Sequence, residues 1–123
     1  MASATIEYLI RGRVFDLCEI VVNGRHYVRD FITEELSKEE QRKIVALFER
    51  TAEQGIPHND QKFKCLRDGI FEFKSFQTRI FCAFHVNRII LLTHGCKKKK
   101  DKTDQQEIER ALRLLKEAGY GER

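Results

Sequence analysis

Three short apolar runs, residues 70–76, 79–86 and 89–94, are separated only by Gln77-Thr78 and Asn87-Arg88. Runs of this length, rich in Ile, Val and Phe, read as strands. Links this short join antiparallel neighbours, because a parallel partner needs a crossover of a dozen or more residues. The C-terminal half is therefore expected to hold a three-stranded antiparallel meander, and the rest of the chain has to pack around it.

Upstream, residues 14–22 are rich in β-formers and are followed by Asn23-Gly24, the favoured dipeptide of a type I′ turn. Tyr27, Val28, Phe31 and Ile32 offer a return strand, so residues 13–33 are expected to form a hairpin. Ser37 with Glu40 has the spacing of a capping box. Ile44, Leu47 and Phe48 then recur at helical spacing until Gly55 and Pro57, so a helix is expected from residue 38. Residues 58–69 read as a loop or short helical turn. Thr103, with Gln106 three residues on, offers another cap, and Ile108, Ala111, Leu112, Leu115 and Ala118 form an apolar stripe ending at Gly119. Strands then helix, strands then helix, is the order of an α+β domain.

The chain has 123 residues, and that length suits one domain over residues 1–123. No apolar run approaches the roughly 18 residues of a membrane-spanning helix, and the N-terminus shows no secretory pattern. A cytoplasmic protein with no membrane partner is expected. The four cysteines, at 18, 65, 82 and 96, form no CxxC pair and are expected to be free thiols. Cys82 and His85 have CxxH spacing, but an odd separation within a strand turns them to opposite faces, so no metal is expected. The net charge of +4 hides an uneven distribution. Residues 56–102 carry eleven basic and four acidic side chains, a net of +7, while both flanks are slightly acidic. Such a block attracts a polyanion, and phosphate neutralisation is the usual source of nucleic-acid affinity.

At the meander the sequence resembles a known family. Residues 67–74 (RDGIFEFK), 78–81 (TRIF), 90–99 (ILLTHGCKKK) and Lys102-Thr103 follow, in order, the spaced elements of the RelE/HigB toxin superfamily. They are most similar to its phage-derived, HigB-like branch, and the likeness covers residues 66–116. It implies a RelE-like fold, a small antiparallel-containing sheet with helices packed on one side. It also implies the toxin of a type II toxin–antitoxin pair: an mRNA interferase, a hydrolase with no cofactor, acting on mRNA at the ribosome. The implied partner is a cognate antitoxin, typically a helix-turn-helix protein. Two alternatives stay open, a ParE-like toxin directed at gyrase and a non-catalytic RNA-binding or regulatory module.

Metal-independent RNA cleavage makes the ribose 2′-hydroxyl attack its own phosphate. The protein must supply a base, an acid and positive charge on the phosphorane. Arg79, which the resemblance aligns with the family's strand-opening arginine, is the first candidate, since a guanidinium holds phosphate through two parallel N–H bonds. Glu72 and Lys74 share a strand face, and Glu72 is either a general base or a brace for Arg79. Lys98 and Lys99 occupy the family's paired-lysine positions. Crowding with Lys97, Lys100 and Lys102 favours a lowered lysine pKa, so Lys98 is a candidate proton donor. His94 titrates near neutrality and is the candidate histidine for acid–base work, or a structural residue bonded to a nearby carbonyl. Lys74, Lys97, Lys99, Lys100, Lys102 and Arg67 are expected to bind the RNA backbone. The alternating phenylalanines Phe71, Phe73, Phe81 and Phe84 are assigned to the core, with Phe76 the one reservation.

Overall fold

In the computed structural model, which describes residues 4–98 and 105–119, the chain begins with β1 (Ala4–Arg11) and β2 (Asp16–Val22). Next come β3 (Arg25–His26), α1 (Tyr27–Glu35) and α2 (Lys38–Gln54). β4 (Phe63–Cys65), β5 (Phe71–Ser75), β6 (Thr78–His85), β7 (Ile89–Lys97) and α3 (Gln105–Glu117) complete it. The α+β class is as expected, and β5–β6–β7 is the antiparallel meander. One sheet runs in the order β1-β2-β7-β6-β5-β4, with β3 paired to β2. All pairs are antiparallel except β2 with β7, which is parallel. The last strand of the sequence thus lies inside the sheet, joining the N-terminal hairpin to the meander.

The sheet is covered on both faces. Val28 of α1 and Ile44, Leu47 and Phe48 of α2 pack on Leu17, Phe73, Ile80, Cys82, Ile90 and Leu92. Ile108, Ala111, Leu114 and Leu115 of α3 pack on Cys18, Ile20, Phe81 and Leu91 across the sheet. The expectation of helices on one side is met by α1 and α2 only, and α3 corrects it. Its apolar stripe needs a face of its own, because the opposite one is already filled.

The expected 13–33 hairpin is also corrected. Its turn is there, with Asn23 and Gly24 both at positive φ, but the return strand stops after Arg25–His26 and the chain becomes helical. Tyr27, Val28, Phe31 and Ile32 repeat every four residues, which is a helical period and not an alternating one. The entry to α1 has no side-chain cap from His26. Instead Glu19, wholly buried in β2, accepts the Arg29 backbone N–H at 3.0 Å and contacts His26 Nδ1 at 2.9 Å. A carboxylate from another strand caps this helix. β1 is a strand the sequence did not signal, and residues 63–65 form a short edge strand where a loop was expected. The helix after Ser37 is as read, with both arms of the capping box made and Gly55 at its end. Thr103, the expected cap of α3, lies outside the described residues.

Candidate nucleic-acid interface

Register places the first group of candidates. Arg79 stands opposite Lys74 on β5 and opposite Cys96 on β7, and directly opposed residues of antiparallel strands share a face. Glu72 is two residues from Lys74, so Glu72, Lys74 and Arg79 lie on the α3 side, near the end of the sheet. Their burial is high: Glu72 is fully buried, Arg79 is 3% exposed and Lys74 8%. Arg79 Nε sits 3.9 Å from Glu72 Oε1, while its Nη1 donates to the carbonyls of Phe76 at 2.5 Å and Thr78 at 3.1 Å. The guanidinium therefore links a buried carboxylate to the backbone of the β5–β6 turn.

Lys98 follows β7, and its backbone N–H donates to Gln77 O at 2.7 Å, which ties it to the same turn. Cys96 registers its neighbours. Burial, with the charges of Glu107 and Glu72, pushes its thiol up to about 12, against the opposing pull of Lys98 and Arg79.

An irregularity in β7 decides where His94 goes. Ile80 pairs with Gly95 and Cys82 with Leu92, so β7 spends one residue more than β6 between these pairs. This bulge sends Leu92 and Gly95 to the helix α2 side and His94 to the α3 side. There the imidazole is 1% exposed, stacks on Phe81 with centroids 4.8 Å apart, and bonds through Nε2 to Glu107 of α3 at 2.8 Å. An ionised carboxylate only accepts, so the proton is on Nε2, and Nδ1 faces the Thr93 hydroxyl at 3.2 Å. Desolvation, aided by Arg110 and Arg113 and opposed by Glu107, lowers the His94 pKa to about 4. At neutral pH it is an uncharged strut between β7 and α3. Gly95 has its own reason: a Cβ there would come 2.5 Å from the Phe31 ring and 2.7 Å from Ile80 Cδ1. The pair His94-Gly95 thereby docks one helix on each face.

The remaining sequence candidates are dispersed. Lys97 points the other way, onto Glu40 of α2 at 3.1 Å. Arg67 reaches α3, bonding Gln105 and Glu109 as well as its neighbour Asp68. Lys99, Lys100 and Lys102 lie outside the described residues. Among the phenylalanines, Phe73 and Phe81 are core, Phe71 is half-buried, Phe84 is 43% exposed and Phe76 is 76% exposed.

A groove of about 410 Å³ lies beside the β5–β6 turn, lined by Lys43, Ala46, Leu47 and Arg50 of α2, by Gln61 and Lys62, and by Lys74, Ser75 and Phe76. Sequence reasoning missed its α2 wall. The signal was present, since residues 43, 46, 47 and 50 recur at i, i+3, i+4 and i+7 and so share one helix face.

Among the described residues, Glu7, Glu19 and His26 bring three potential ligand atoms within 4.8 Å of one another. Arg29 already supplies a cation there, 3.4 Å from Glu19, and the group is accounted for as the cap of α1. Burial also raises the Cys18 thiol to about 11 and holds the Cys82 thiol well above its ordinary value, so both stay protonated at neutral pH.

The sequence pattern of a family described as phage-derived Gp49-like proteins (DUF891) matches residues 32–116, which takes in α2, the whole meander and nearly all of α3. The chain belongs to the Gp49-like family. It is a toxin-like family related to the RelE/HigB type, and toxin-like proteins of this kind have an antitoxin as their general partner. No curated protein matches the chain. β1, β2 and most of α1 lie before the Gp49-like match. No helix among the described residues is long and apolar enough to cross a membrane.

Proposed function

We propose that this Gp49-like protein is the toxin of a type II toxin–antitoxin pair, of the HigB-like branch, and cleaves mRNA at the ribosome without a metal ion. The observation that carries this is that Arg79 and Lys74 stand opposite each other at one end of one sheet face, beside a turn that Arg79 itself holds and to which the backbone of Lys98 is bonded. Positive charge is the one requirement common to every step of a 2′-hydroxyl attack, since negative charge accumulates on the phosphorane throughout. Lys98 and Lys74 meet the phosphate; the 2′-hydroxyl loses its proton to solvent water as it attacks, and Lys98 gives a proton to the departing 5′-oxygen, leaving a 2′,3′-cyclic phosphate. Glu72, fully buried, braces Arg79. His94, neutral and bonded to Glu107, positions β7 against α3.

The burial of Glu72, Arg79 and His94 favours a second reading, a module of the same fold that binds RNA without cutting it. Purified protein added to translating ribosomes, with and without a chelator, separates the two. New mRNA ends carrying 5′-hydroxyls, unaffected by the chelator, are expected. Binding without new ends supports the second reading. Inhibition of DNA supercoiling with neither would overturn both in favour of a gyrase target.

A further inference from the structure

Phe76 occupies the first position of the two-residue loop between the paired Ser75 and Thr78. Its φ is +54°. That region suits Gly, Asn or Asp, and a bulky side chain is destabilised there. Burial offers no compensation, because the ring is 76% exposed. A strained, solvated aromatic at a hairpin tip contributes nothing evident to the fold.

Its surroundings are chemically specific. Lys43 Nζ lies 5.5 Å from the ring centroid, within cation–π range. The adjoining groove is lined by Lys43, Arg50, Lys62 and Lys74 and, among the described residues, by no carboxylate. Its volume of about 410 Å³ falls within the usual span of small-ligand pockets. Beside Ala46 and Leu47 the groove sets an aromatic face among cations, the combination that single-stranded nucleic-acid binders use, one part stacking a base and the others tracking the backbone. The groove and the proposed cleavage site lie on opposite sides of the sheet and meet at the β5–β6 turn, where Arg79 donates to the carbonyl of Phe76.

We propose that Phe76 is the stacking platform of a subsite for one unpaired RNA base next to the scissile link, with Lys43, Arg50 and Lys62 holding the flanking phosphates. This rests on the RNA-directed function above and adds to it a residue that sets substrate register. A duplex would not fit, since its bases are already stacked on each other.

The test is anisotropy of a labelled, short single-stranded oligoribonucleotide with the full chain at fixed salt. Phe76→Asn should weaken binding about 5- to 150-fold, the span of base–aromatic stacking. Its melting temperature should equal or exceed that of the wild type, since Asn accepts the left-handed conformation. Phe76→Tyr should retain affinity. An abasic residue moved along the oligonucleotide should, at one position, weaken the wild type and leave Phe76→Asn unchanged, a coupling that a merely structural turn would not give. Lys43→Gln with Lys62→Gln should reduce the salt dependence of binding. Wild type and Phe76→Asn binding RNA equally would overturn the subsite and leave the RNA-directed function standing. A wild type that binds no RNA would overturn both. Phe76→Asn that loses only its protein partner would assign the ring to antitoxin docking and likewise end the proposal.

Discussion

Arg79 has two roles to disentangle, because the same guanidinium proposed to face phosphate also balances a buried carboxylate. At the 3.9 Å separation of Arg79 Nε and Glu72 Oε1, Coulomb's law at an effective dielectric of about 20 gives roughly 4 kcal/mol of attraction. Removing one member of such a buried pair typically costs about 3–5 kcal/mol, and removing both can be nearly neutral. Arg79→Met should therefore lower unfolding free energy by about 3–5 kcal/mol, and Glu72→Gln by a similar amount. The double variant Glu72→Gln/Arg79→Met should be at least about 2 kcal/mol more stable than Arg79→Met alone. Urea melts of the four proteins, compared as a double-mutant cycle, read this directly. The same samples then address the chemistry. The double variant, folded but without the guanidinium, should cleave no RNA. Arg79→Met melting within about 1 kcal/mol of the wild type would refute the brace. Cleavage by the double variant would remove Arg79 from the site.

Two more outcomes follow from the geometry. Gly95→Ala forces a Cβ against Phe31 and Ile80 and should cost about 1–3 kcal/mol in urea melts, the usual penalty of overpacking; trimming Phe31 to Leu in the same chain should return part of it. His94 makes stability depend on acid. Its folded pKa of about 4 lies below the ordinary 6.5, so between these values the unfolded chain binds the extra proton. Stability should then fall as pH drops from about 6.5 to 4, by roughly 3 kcal/mol, and be independent of this group above that window. His94→Gln should flatten the slope there, and an unchanged slope would contradict the neutral strut.

Short-range chemistry was legible in the sequence wherever it set the outcome alone. The Ser37 capping box and the Asn23-Gly24 turn are complete within a few residues and form as read, and the short links of the meander form with shifted bounds, residues 76–77 in place of 77–78 and 86–88 in place of 87–88. What escaped depended on partners distant in the chain. Residues 27–35 look like a strand by composition and become a helix because Glu19 caps them and Val28 and Phe31 are taken into the core. The destination of α3 was hidden because either sheet face can receive an amphipathic helix until the other is filled. At the candidate site, parity along one strand put Glu72 and Lys74 together, and the register between β5 and β6 adds Arg79. Parity misleads at His94, where the bulge in β7 breaks the alternation, and it says nothing of Lys43 or Arg50, which line the groove beside the β5–β6 turn from a helix.

The parallel seam between β2 and β7 governs when this protein can become itself during synthesis. The β1–β2 hairpin made first and the β5–β6 hairpin made later each present a raw margin of unbonded amides until residues 89–97 are laid between them, and such long-range closures are slow. Shortening the chain within that stretch would leave two half-sheets, both prone to pairing with the wrong neighbour. The sheet that carries Arg79 and Lys74 is therefore complete only once residues 89–97 have been made.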